Sequence, residues 1–154
     1  MAYTRIHSIK RTVDKSLDYI KNEKKTTFIG GKGSKDDLQR AMQYIANAKK
    51  TTSKVSKEYR FVEGWQCDPQ FATYQFEETK KKYLEAHGGR ERNTTGTPAM
   101  AFHFIQSFGP EVTDPVIVHN IGMELAEKIG DGGYQCVVAS HIEGSHVLHN
   151  HIIC

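Results

Sequence analysis

Long apolar runs are missing from this sequence. Nothing approaches the roughly 18 consecutive apolar residues of a membrane-crossing helix, and the opening Met1-Ala2-Tyr3-Thr4-Arg5 lacks the apolar core of a secretory leader. The expectation is a cytoplasmic protein with no membrane partner. Cysteine is scarce: Cys67, Cys136 and Cys154 are an odd number at unrelated spacings. That pattern predicts no disulfide framework and fits a reducing compartment. No CxxC pair and no HExxH helix is present, which removes the common zinc-module and zinc-protease readings. Charge of one sign is also modest. The 21 basic against 18 acidic residues leave +3, which permits a polyanionic partner without demanding one. With 154 residues, 38% hydrophobic and 25% charged, the chain has room for one domain around one core.

The periodicities that are there divide the chain into alternating elements. Tyr3 to Ile9 alternates apolar and polar residues and predicts a strand. Lys10 to Asn22 predicts a helix with Val13, Leu17 and Ile20 on one stripe and Tyr19 off it. After the break Gly30-Gly31-Lys32-Gly33-Ser34 the chain repeats itself. Tyr19-Ile20-Lys21-Asn22-Glu23-Lys24-Lys25-Thr26-Thr27 returns 25 residues later as Tyr44-Ile45-Ala46-Asn47-Ala48-Lys49-Lys50-Thr51-Thr52. Leu38, Met42 and Ile45 reproduce the stripe, and Tyr44 again lies off it. Residues 11–52 thus hold a duplicated tyrosine helix. Tyr59 to Cys67 reads as a strand, and Asp68-Pro69 as the start of a helix closing at Gly88-Gly89. Ala101 to Phe108 is a strand with His103, Ile105 and Ser107 on one face. Thr113 is placed to cap a helix whose stripe is Ile117, Ile121, Leu125 and Ile129. Tyr134 to His141 and His146 to Cys154 are strands joined by a turn at Gly144-Ser145. The order predicts an α+β fold, an antiparallel β-sheet with helices packed mainly on one face. Cys154 ends the given sequence inside an apolar run, so the expectation is the N-terminal part of a longer domain spanning 1–154.

Histidine is the one conspicuous excess. Half of the eight histidines fall between His141 and His151. His149 and His151 are two apart on a strand, so period two puts both imidazoles on one face, and a hairpin brings His141 alongside. Three neutral imidazoles suit Zn, Mn, Ni or Fe and leave positions open for water or substrate. Glu143 at the hairpin corner is placed to orient a liganding imidazole, and His146 stands close by. The lysines Lys24, Lys25, Lys49 and Lys50 suit DNA phosphates, although cations at a helix C-terminus are favourable in any case. A tyrosine hydroxyl, with its usual pKa near 10, needs a base or a metal-activated electrophile to act as nucleophile.

Three separated segments carry a family likeness. They are Ser8-Ile9-Lys10 with Leu17-Asp18-Tyr19-Ile20 and Lys25-Thr26; His103-Phe104-Ile105-Gln106-Ser107-Phe108; and His141-Ile142-Glu143 with His149-Asn150-His151. In this order they resemble the motifs of MobA-type conjugative relaxases, nuclease domains of the HUH endonuclease superfamily. Phe61 to Cys67 is similar to the strand between the first two motifs, with Gln66 where the family commonly has Asn. Glu143 stands where Asp is usual.

The resemblance implies metal-dependent nicking and religation of one DNA strand at the origin of transfer of a plasmid or integrative element, through a 5′-phosphotyrosine. It implies Tyr19 as nucleophile, with Tyr44 the alternative raised by the duplication, and His141, His149 and His151 holding Mg2+ or Mn2+, or else Zn2+. Ser107, Lys24, Lys25, Thr26, Lys49 and Lys50 would contact DNA. Accessory mobilisation proteins and a type IV secretion coupling protein are the implied partners. Two rivals are weighed. A single-stranded DNA-binding fragment would bind without a covalent product. A histidine-triad nucleotide hydrolase would need His at position 147, where the chain has Val147.

Overall fold

Leu38, Met42 and Ile45 lie on one stripe of a helix, Lys35–Ile45 (α1), and all three are buried. In the computed structural model of the chain, residues 3–9, 35–54, 60–89, 100–144 and 146–154 are described, the first segment and residue 35 through their backbone alone. The predicted helix over 10–22, the Gly30–Ser34 break and the loop over 90–98 lie outside the described residues.

Strand Tyr3–Ile9 (β1) precedes α1, and the short helix Ala48–Thr51 (α2) follows it, capped by Asn47 Oδ1, which accepts from Lys49 N. Then come strand Val62–Trp65 (β2), helix Ala72–Ala86 (α3), strand Ala101–Ser107 (β3), helix Pro115–Gly130 (α4), and strands Cys136–His141 (β4) and His149–Ile153 (β5). The five strands form one sheet, ordered β1-β3-β5-β4-β2, with every neighbouring pair antiparallel. The α+β class expected from the sequence is the one observed. Among the described residues no helix is long and apolar enough to cross a membrane.

Period two divides the strands between two cores. Val137, Ala139 and Ile153 face α1 and α3, packing with Leu38, Met42, Ile45, Ala72 and Phe76. Cys136, Val138 and Ile152 face α4 and pack with Ala126, Trp65 and Phe104. Both faces of β4 are therefore covered, which is why its apolar run is continuous rather than alternating.

Four local expectations are corrected. Helix α4 is capped by Asp114, whose Oδ1 accepts from Val116 N at 2.8 Å, with Pro115 at its first position; Thr113 is not the cap. Its buried stripe is Val118, Gly122, Ala126 and Gly130, not the isoleucine stripe, and Ile117 is exposed. Glycine is required there because a Cβ on Gly122 would stand 2.5 Å from Asn150 Nδ2, and one on Gly130 would run into the Trp65 indole. Helix α3 starts at Ala72, because Asp68 Oδ1 accepts from Gln70 N and holds Asp68-Pro69 in a turn. Finally, Cys136 and Cys154 form a disulfide across β4 and the end of β5. The β4–β5 register, with Val137 opposite Ile153, brings the two cysteines together, and spacing along the chain is blind to that. Cys67 keeps its thiol, whose pKa is pushed up to about 11 by burial and then by Asp68, and donates a hydrogen bond to Cys136 O.

Candidate metal centre

Strand β5 lies between β3 and β4, with His151 opposite Ile105 on one side and Ala139 on the other, and His149 opposite Ser107 and His141. The register therefore sets His141, His149 and His151 on one face, the face that α1 covers. One ring nitrogen from each lies within 4.8 Å of the other two. The His141 and His151 ring centroids are 4.3 Å apart.

Hydrogen bonds fix which nitrogen each ring offers. A carbonyl can only accept, so His141 donates Nε2–H to Ile45 O at 3.0 Å and keeps its lone pair on Nδ1. His149 donates Nδ1–H to Val147 O at 3.2 Å and keeps its lone pair on Nε2. His151 Nδ1 meets His103 Nε2 at 2.8 Å, while His151 Nε2 is buried without a hydrogen-bond partner among the described residues. A buried nitrogen left without a partner is costly in a fold that lacks a ligand there. Three inward nitrogen donors, one of them orphaned, fit a divalent transition metal.

The electrostatics agree with that chemistry, because metal ligation needs neutral imidazole. Burial is the main force pushing the His141 pKa down, to about 3; the neighbouring His149, Lys50 and His103 add to it and the Ile45 carbonyl opposes it. His151 is held well below its ordinary value by burial and then by His141, His103, His149 and Lys50.

Helix α1 brings Tyr44 onto the cluster. Its ring stands edge-on to His141 and to His151, with both centroid separations 5.7 Å. Lys50 Nζ lies 4.2 Å from the Tyr44 ring centroid, a cation–π contact, and burial lowers the Lys50 pKa. Lys50 reaches this position because Asn47 starts the single turn of α2, and Thr51, buried at its end, returns a hydrogen bond to Asn47 O. A phenol, an ammonium and three imidazoles thus share one site.

The remaining expected site residues are distributed as follows. Ser107 ends β3 on the cluster face. Lys49 is exposed on α2. Glu143 does not orient an imidazole: its Oε2 pairs with Lys54 Nζ at 2.6 Å, because the hairpin corner turns it toward α2 and the residues after it. His146 is exposed and outside the group of three. Tyr19, Lys24, Lys25 and Thr26 lie outside the described residues. His103 Nε2, in contact with His151 Nδ1, makes the kind of contact with a clustered imidazole that was expected of Glu143. Its place on the face of Ser107 was legible; its contact with His151 was not, because that depends on β3 lying beside β5.

The chain matches the family described as relaxase, MobA/VirD2-like, nuclease domain, over residues 44–154. Two Staphylococcus aureus proteins named "Protein rlx" are 30% and 34% identical to it over 109 residues, which is 66% of this chain. Those matches cover only 31% and 30% of the relatives' own length. The "Group II intron-interrupted relaxase LtrB" of Lactococcus lactis subsp. cremoris is 38% identical over 55 residues, 35% of this chain and 10% of its own. No solved structure matches.

Proposed function

Because the chain belongs to the MobA/VirD2-like relaxase family of nuclease domains, we propose that it nicks and rejoins one strand of DNA at an origin of transfer, with Tyr44 as nucleophile. The observation that carries this reading is the Tyr44 ring set edge-on against two of the three clustered imidazoles. The Tyr44 hydroxyl oxygen attacks the scissile phosphorus as its proton leaves to solvent. A phosphorus–Oη bond forms, the bond to O3′ breaks, and O3′ takes up a proton. The products are a 5′-phosphotyrosine and a free 3′-hydroxyl. No water is consumed, so the ester is conserved and the reverse reaction religates the strand.

His141, His149 and His151 would hold the divalent ion, Mg2+ or Mn2+ in this reading, with Zn2+ as the other fit to three imidazoles. The ion supplies a Lewis acid for a phosphoryl oxygen. The chain's own groups do the rest. His141 and His149 present lone pairs fixed by backbone carbonyls. Lys50, beside Tyr44, neutralises charge on the phosphate that enters. Ser107 and Lys49 flank the site at the end of β3 and on α2 and contact the strand next to the nick. Tyr44 is favoured over Tyr19 by its contact with the cluster and by a family match that begins at Tyr44. The wider setting of the reading is conjugative transfer from the cytoplasm, with accessory mobilisation proteins and a secretion coupling protein as partners.

Incubation with a labelled origin oligonucleotide and Mn2+, followed by denaturing electrophoresis, tests the mechanism. Unaltered protein and Tyr19→Phe give a covalent adduct, and Tyr44→Phe gives none. An adduct that survives in Tyr44→Phe transfers the role to Tyr19. One that survives in the double variant, or is absent from unaltered protein, defeats the phosphotyrosine mechanism.

A further inference from the structure

Behind the histidine cluster, on the opposite face of the same strands, runs a buried chain of polar groups. Asn150, wholly buried between His149 and His151, donates Nδ2–H to Gln106 Oε1 at 2.9 Å and to Val118 O at 2.7 Å. Its Oδ1 accepts from Ser140 Oγ at 2.6 Å. That uses the only hydroxyl proton of Ser140, so His119 Nδ1 must be the donor across the 2.7 Å contact with Ser140 Oγ. His119 Nε2 then lies 3.5 Å from Glu63 Oε1. Hydroxyl, imidazole and carboxylate follow one another here as in a hydrolase. Ser140, however, is fully buried and its proton is engaged by Asn150, so no substrate reaches it.

The polar chain lies on the same face of the sheet as an apolar layer made of Val138 and Ile152 from the strands and Ala126 from α4. An unbonded amide there would carry the desolvation penalty of its whole head group. One side-chain bond goes to β3, one to β4, and one to the backbone of α4. They can all be made in only one register of β5. A slip of one residue would turn Asn150 onto the histidine face and drive His149 and His151 into the core behind it. Gly122 preserves the arrangement, since a Cβ there would stand 2.8 Å from Asn150 Cγ.

The geometry points to Asn150 as a positioning residue for the metal site: through Ser140, Gln106 and the Val118 carbonyl it locks β5 in the one register that aims His149 and His151 at His141. This rests on the reading of the three imidazoles as a metal site. It acts through strand placement and touches neither metal nor DNA.

Calorimetric titration of the metal-free protein with Mn2+, alongside thermal melting in chelator, tests it. Asn150→Ala weakens Mn2+ binding at least tenfold while the protein still melts cooperatively, within the roughly 10–100-fold typical of lost outer-shell partners. Ser140→Ala, which removes a single arm, weakens it by less, about threefold, below that range. Val138→Ala opens a cavity in the same apolar layer without breaking an arm, and leaves affinity within twofold. Equal losses in Asn150→Ala and Val138→Ala, or no loss in Asn150→Ala, overturn the inference. If Asn150→Ala does not fold, the comparison of Ser140→Ala with Val138→Ala decides by the same rule. Unaltered protein that takes up no Mn2+ defeats the metal reading itself, and the inference falls with it. Binding by all variants alike defeats the inference alone.

Discussion

On one face of β5 the imidazoles of His149 and His151 present lone pairs, and one of those nitrogens has no partner among the described residues; on the other face, between them, Asn150 has both amide donors engaged and its oxygen bonded. The two faces belong to the same strand, and His151 on one and Asn150 on the other are both buried. What differs is whether the polar valences are closed inside the fold. A closed network makes the strand immovable, and an open one makes it reactive. Placing the two back to back gives the reactive face a rigid backing that its own side chains cannot provide.

The sharpest way to break this contrast is to remove a donor from the open face. His149→Ala and His151→Ala each lower Mn2+ affinity by more than the roughly 10–100-fold caused by losing an outer-shell partner, read by calorimetry. His149→Ala, at a partly exposed position, leaves the melting temperature of the metal-free domain nearly unchanged. If affinity survives both changes, the open valences have another purpose. The closed face answers differently. Gly122→Ala forces a methyl against Asn150 and lowers stability by about 1–3 kcal/mol, measured by chemical denaturation in chelator.

A pH series sharpens the comparison further. His141 and His151 stay neutral in the metal-free fold below the ordinary imidazole pKa near 6.5, His141 down to about 3. The unfolded chain binds protons throughout that window and the folded chain does not. The stability they contribute is complete above about pH 6.5 and is lost as pH falls from there toward about 3. Denaturation midpoints in chelator decline across that range, and His141→Asn flattens the decline. The smallest expected effect lies away from both faces. Gln66 has φ of 56°, the left-handed region in which Asn is easier than Gln. Gln66→Asn raises stability by about 0.5 kcal/mol, seen as a slightly higher melting temperature.

Much of this was legible in the sequence, and most of the failures share a cause. Period two put His149 and His151 on one face and the hairpin brought His141 to them. Periods of three and four placed Leu38, Met42 and Ile45 in the core and left Tyr44 off their stripe, free to meet the imidazoles. What one chain segment cannot reveal is which strand lies beside which. The partnership of His103 with His151, the arms of Asn150 and the Cys136–Cys154 disulfide all depend on neighbours in the sheet. The buried stripe of α4 escaped for a different reason. It consists of Val118 and three small residues selected for close approach, and hydrophobic periodicity gives weight to size.

The strand order carries a consequence in time. β5, the last of the five strands to leave the ribosome, takes the central place between β3 and β4. Until it arrives, β4 holds a lone histidine beside an open gap, and pairs distant along the chain wait on its insertion. The three imidazoles are thus gathered only once β5 has inserted between β3 and β4.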